Sequence, residues 1–148
     1  MNFSIRRLGP GDERILHLLA LEDEDFDLDE RGGPRRLLSP EAAREYLADP
    51  HLVHWVAESA GAVLGHLYGH VLRKRAGEAA EMILYEIGVR AAHRRHGVGR
   101  ALVETFHAWM AEHQIHESWV LADNPGAVEF YKACGFNIAE QPAYLTRG

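Results

Sequence analysis

The chain has little of what would assign it to several large classes. It carries one cysteine, Cys134, in 148 residues, so no internal disulfide can form, as suits a reducing compartment. No apolar run approaches the roughly 18 residues of a membrane span, and the opening MNFSIRRLGPGDER lacks the uninterrupted apolar core of a secretory leader. A cytoplasmic protein with no membrane partner is the expectation. Positive charge is in the minority: 16 Lys and Arg stand against 22 Asp and Glu, a formal net charge of -6, which argues against nucleic acid as a partner. Ten histidines are present, yet no Cys/His zinc spacing accompanies them, and Cys134, just before Gly135, reads as a small buried side chain. No metal is expected. Repeats, low-complexity tracts and linkers are also missing, so residues 1–148 read as one domain.

What is present alternates in a definite order. NFSIRRL reads as a strand ended by Gly9, Pro10 and Gly11, and DERILHLLALE as an amphipathic helix. Ser39 and Pro40 open a second helix, SPEAAREYLAD. LVHWVAE and VLGHLYGHVL form a hairpin about Gly61, and EMILYEIGV is apolar enough to lie inside the sheet. Val98, Leu102, Phe106 and Trp109 mark an amphipathic helix over 98–112. A strand ESWVLA, a helix GAVEFYKAC opened by Asn124 and Pro125, and a last extended segment after Gly135 complete the order β α α β β β α β α β. The fold class expected is α+β, with a mixed sheet flanked by about four helices.

Two stretches carry chemistry. The first is HRRHGVGR at 93–100, a basic glycine turn between a strand and a helix. A helix N-terminus leaves backbone N–H groups unpaired and carries positive dipole, so a glycine turn there accommodates a pyrophosphate. The Gly-Lys-Ser/Thr ending of a P-loop and the third glycine of a dinucleotide fingerprint are both missing. The second stretch is acidic: Glu22, Asp23, Glu24, Asp25, Asp27, Asp29 and Glu30 fall within nine positions. Seven like charges repel, which suggests a cationic partner, although Arg31, Arg35 and Arg36 follow closely and could neutralise them.

Arg94-x-x-Gly97-x-Gly99 after LYEIGV resembles motif A of the GNAT superfamily of acyl-CoA-dependent N-acetyltransferases. Asn124-x-x-Ala127-x-x-Phe130-Tyr131-x-x-x-Gly135-Phe136 is similar to that family's downstream block, and the element order resembles the GNAT fold, a mostly antiparallel sheet splayed at the acetyl-CoA site. The resemblance implies that Arg94, Arg95, His96, Gly97, Val98, Gly99 and Arg100 hold the coenzyme pyrophosphate. It implies that Ile87, Gly88 and Val89 pair with the pantetheine arm, that Asn124 and Ala127 lie along it, and that Tyr131 protonates the departing thiolate. Glu86 matches an acidic residue that binds or deprotonates the amine, with Glu81 a weaker candidate.

Within the family, ILYEIGVRAAHRRHGVG is most similar to type I aminoglycoside 3-N-acetyltransferases. That similarity implies a small cationic amine as acceptor, held by Asp25, Asp27, Asp29, Glu86 and Asp123. The acidity of residues 22–30 and a short loop between Asp123 and Ala127 depart from that group. A polyamine, a protein or peptide amine, and a non-catalytic acyl-CoA sensor stay open as alternatives. Trp109, Trp119 and the C-terminal segment are candidates for a homodimer contact.

Overall fold

The computed structural model describes residues 2–26, 37–140 and 142–148. Its elements are β1 (Ser4–Arg7), α1 (Glu13–Leu21), the four-residue α2 (Asp23–Phe26), α3 (Pro40–Ala48), β2 (Leu52–Ser59), β3 (Ala62–Leu72), β4 (Glu81–Val89), a 3-10 turn (Ala91–His93), α4 (Val98–Glu112), β5 (Ser118–Trp119) and α5 (Pro125–Ala133). The five strands lie in chain order, antiparallel from β1 to β4, with β5 parallel to β4. This is the α+β, mostly antiparallel architecture expected from the sequence.

Local chemistry accounts for the elements. The Ser39 side chain accepts from Ala42 N–H at 3.1 Å and Pro40 sits in the first turn, so α3 starts where its cap dictates. Alternation along β2 sends Val53, Trp55 and Ala57 to one face and His54 and Val56 to the other. The first face packs on α4 through Leu102, Val103, Phe106 and Met110, together with Met82 and Leu84 of β4. The second carries α1, α2 and α3 through Leu16, Leu19, Phe26 and Ala43.

Three outcomes differ from the sequence reading. The acidic segment begins with a helical turn, α2. ESWVLA pairs with β4 only at Met82↔Ser118 and Ile83↔Trp119. Residues 136–140 and 142–148 join no strand. β4 is therefore interior to the sheet only at its beginning; from Leu84 onward its far side has no strand partner among the described residues.

Close helix-on-sheet packing makes Gly69 irreplaceable. A Cβ there would stand 2.6 Å from Ile83 O and 2.9 Å from a Phe106 ring carbon. Gly69→Ala should cost about 1–3 kcal/mol by overpacking and lower Tm by several degrees. Gly9→Ala, where a Cβ would meet nothing within 4 Å, is the control. Equal melting temperatures for the two variants would refute the account.

Candidate active site

The site begins with a fault in a strand. Tyr68 pairs with Glu86 and Gly69 with Leu84, so Tyr85 is an extra residue bulged out of β4. Before the bulge Met82 and Leu84 face the α4 core; after it Ile87 and Val89 do. The shift turns Glu86 and Gly88 onto the opposite face. Without the extra residue Glu86 would enter the apolar core, where an unpaired carboxylate is costly. Instead its side chain is 19% exposed, with Oε1 4.0 Å from His66 Nε2.

Gly88 fixes what lies over this face. A Cβ on Gly88 would come within 2.6 Å of Phe26 O and 2.9 Å of Phe26 Cβ, so the α2 backbone rests directly on β4. Arg90 completes the clamp. Its Nε donates to Val63 O at 2.6 Å, its terminal nitrogens reach Glu22 and Asp25, and its guanidinium lies 4.4 Å from the Phe26 ring centroid. Asp25, expected at the acceptor, is thus ion-paired to Arg90 at 3.1 Å. Asp27 and Asp29 lie outside the described residues.

The glycine turn has the geometry of an anion cradle. Gly97 adopts φ 82 and caps α4 with no side chain over the helix end. Ala101 N–H donates to Gly97 O, so the N–H groups of Val98, Gly99 and Arg100 precede the helical ladder. Gly99 lets α5 approach, since a Cβ would meet the Phe130 ring at 3.1 Å. Arg95 is exposed at φ 64 and His96 is exposed beside it. Arg94 turns inward: Nε donates to Val89 O at 3.1 Å and a terminal nitrogen reaches Asp25 O at 3.5 Å. It braces the loop against α2. Arg100 donates to Ala133 O at 3.2 Å and ties α4 to the end of α5.

Across the gap, Asn124 caps α5 by accepting from Ala127 N–H at 2.8 Å, which commits its carbonyl oxygen and the Ala127 amide. Asp123 is exposed just before the cap. Tyr131 is buried, its ring packed against Phe130 and Phe136. Cys134 is half-buried, and burial pushes its thiol above the ordinary range. Glu81 bonds Lys74 and the Trp119 indole at the other end of β4 and takes no part in this site. A groove of about 620 Å³, lined in part by Arg7, Arg73, Arg75, Trp109 and His113, likewise lies towards the far end of α4.

Sequence reasoning missed Arg90 and Tyr46, and weighed His54 and His66 only as metal ligands, with His66 and His70 on one face of a strand. The alternation of His66, Tyr68 and His70 along β3 was a signal for one polar face; Tyr46 gave none, because only the fold brings α3 to that face. Tyr46 Oη lies 2.9 Å from His54 Nδ1, and His54 Nε2 lies 3.0 Å from His66 Nδ1.

Fold and site together define the class: an α+β protein with a glycine turn opening a helix beside the half of β4 that β5 leaves unpaired. The chain belongs to the acetyltransferase (GNAT) family, whose sequence profile matches residues 16–136. A mouse protein described as probable N-acetyltransferase family 8 member 5 is 33% identical over 96 residues, 63% of this chain and 41% of that protein. The chain thus spans about 41% of the length of that curated relative. Among solved structures, the aminoglycoside acetyltransferase meta-AAC0020 from an uncultured soil metagenomic sample, in complex with sisomicin, superposes with a TM-score of 0.85 at 20% identity, covering 99% of this chain and 95% of that one. Aminoglycoside N-acetyltransferase AAC(6')-Iy in complex with CoA superposes at 0.74 and 17% identity, covering 99% and 95%. At such identities the likeness is one of fold. None of the helices among the described residues is long and apolar enough to cross a membrane.

Burial of His54 has a consequence for stability. Desolvation, then the neighbouring His66, hold its pKa well below the ordinary imidazole value. The unfolded chain takes up a proton below about pH 6.5 that the folded chain refuses, so this contribution is intact above that pH and is lost as pH falls toward the folded pKa. The slope is up to about 1.4 kcal/mol per pH unit, and His107, also lowered by burial, adds with the same sign. Denaturant midpoints should drop between pH 7.5 and 5.5, less so in His54→Gln; a flat profile for the native chain would contradict this.

Proposed function

We propose that the chain is an acetyl-CoA-dependent N-acetyltransferase acting on a primary amine of a small cationic acceptor, an aminoglycoside foremost and its 3-amino group in particular. The observation that carries the reading is Glu86, turned by the Tyr85 bulge away from the core and onto the face beside the opened half of β4. The residues present suit the coenzyme. A pyrophosphate fits the N–H groups before the α4 ladder, with Arg95 adding charge, and the unpaired side of Ile87, Gly88 and Val89 offers main-chain partners to an extended arm. Acetyl-CoA supplies an activated acyl group as a thioester.

The chain's own groups supply the proton traffic. Glu86 takes one proton from the acceptor's ammonium, leaving a neutral amine whose lone pair attacks the thioester carbonyl. A main-chain N–H of the opened strand suits the oxyanion that forms. Tyr131 gives its hydroxyl proton to the departing sulfur as the carbon–sulfur bond breaks, and recovers a proton from the amide nitrogen through solvent. The net negative charge draws cationic acceptors in. The 3-N resemblance in the sequence and the aminoglycoside acetyltransferases among the structural neighbours support that acceptor class.

Free-thiol release should be followed with acetyl-CoA and gentamicin-type aminoglycosides, kanamycin-type aminoglycosides, spermidine and a lysine-rich peptide. Turnover with the aminoglycosides in excess of the others is expected. Preference for the peptide would move the acceptor class to proteins, and tight acetyl-CoA binding without turnover of any acceptor would leave a sensor. Glu86→Gln should lower kcat by about 100-fold or more, and Tyr131→Phe by about tenfold or more with acetyl-CoA affinity within twofold. Unchanged kcat in either variant removes that residue from the mechanism.

A further inference from the structure

The face that bears Glu86 holds a row of polar rings running from α3 across β2 and β3. Tyr46, His54 and His66 are linked in series at 2.9 and 3.0 Å, and His66 Nε2 stands 4.0 Å from Glu86 Oε1. Both imidazoles are buried, at 6% and 4% exposure. Rings pack around them on every side: Phe26 edge-on to His66, Tyr46 edge-on to His54, and Tyr68 tilted over His54. Farther along the face, Tyr85 and His70 continue the row from Tyr68. Among the described residues, the titratable groups in this row are Tyr46 from α3, His54 from β2, His66, Tyr68 and His70 from β3, and Tyr85 and Glu86 from β4; Arg90, beside Phe26, is engaged by Glu22 and Asp25.

Two imidazoles in contact cannot both be cations, and each nitrogen pair in the row needs one hydrogen and one lone pair. The tyrosine end permits the sense in which its hydroxyl donates, and the Glu86 charge at the other end selects it. Burial, then the negative charge of Glu86, push the Tyr46 phenol up, so it keeps its proton and can donate to His54 Nδ1. His54, held neutral by burial, then carries its hydrogen on Nε2 and donates to His66 Nδ1. A neutral His66 then carries its hydrogen on Nε2, the nitrogen that stands 4.0 Å from Glu86 Oε1. Every N–H dipole in the row points toward the negative charge, the direction that charge favours.

We propose that Tyr46 and His54 are positioning residues that lock His66 in its Nε2–H tautomer, so that His66 holds the Glu86 carboxylate in place for the acceptor's proton. The inference rests on the assignment of Glu86 as the base. His66 acts on the carboxylate; Tyr46 and His54 act only through His66. The row gives a use to a buried histidine pair whose nitrogens meet each other and a phenol.

The test combines ¹⁵N NMR of the histidine rings with kinetics of the full chain and the best acceptor from the panel above. In the native chain His54 and His66 should both read as neutral Nε2–H tautomers at pH 7. Tyr46→Phe keeps the ring and removes only the hydroxyl; it should mix the tautomers of both histidines and lower kcat about five- to tenfold, with KM for acetyl-CoA unchanged. His66→Gln, which keeps an N–H donor, should retain more kcat than His66→Leu. Nδ1–H tautomers in the native chain, or native kcat in Tyr46→Phe beside an inactive Glu86→Gln, would overturn the positioning role and leave the base assignment standing. Full activity in Glu86→Gln would overturn both.

Discussion

The structure turns on how β4 is held. β5 grips it at two residue pairs and then departs, and one bulged residue, Tyr85, reverses which face each later residue serves. Together these create an opened strand with a carboxylate beside it. A fully paired β5 would spend the N–H and C=O groups of residues 84–89 on the sheet. An unbulged β4 would bury Glu86 among Leu84, Leu102 and Phe106. The rest of the fold braces this fault: Gly88 admits the α2 backbone, Arg90 pins that turn to Val63 O, and Arg94 ties the glycine loop to the same segment. The glycine loop and the face that bears Glu86 are thus braced through the same segment.

The glycine turn, the capping residues and the face-switching helices were legible in the sequence because each is a local matter. Ser39, Asn124 and Gly97 do in the structure what their residue types do in general. The bulge was not legible, since EMILYEIGV reads as an unbroken apolar strand and only its register with β3 reveals the extra residue. The short β5 escaped for a related reason: ESWVLA has the composition of a strand throughout, and only the register with β4 shows that pairing stops after Trp119. Arg90 had no role assigned from the sequence, and the main-chain bonds of Arg94 were not foreseen. Arginines at the mouth of an anion site look interchangeable in sequence, yet one clamps carboxylates and another bonds the main chain.

The acidic segment shows how a charge run divides its labour. Glu22 and Asp25 are spent on Arg90, so α2 sits on the sheet by ion pairing and by Phe26, which is 1% exposed. Partly buried pairs of this sort hold geometry more than they add stability. What remains of the run contributes field, and with a net charge of -6 that field extends over about a Debye length, close to 8 Å at physiological salt.

A buried histidine pair beside a carboxylate invites comparison with a metal site, yet among the described residues no group of three or more His, Cys, Asp or Glu side chains is placed to hold an ion. A metal needs lone pairs converging on one point. Here His54 spends Nδ1 on Tyr46 and Nε2 on His66, and His66 spends Nδ1 on His54, leaving one ring nitrogen directed at Glu86. Bringing two imidazole lone pairs to a common ion would break both bonds and leave the Tyr46 hydroxyl with no imidazole acceptor in a largely buried place. The rings are arranged in series, and a series has a direction. In the proposed direction a phenol that keeps its proton donates at one end, and the Glu86 carboxylate favours that sense at the other.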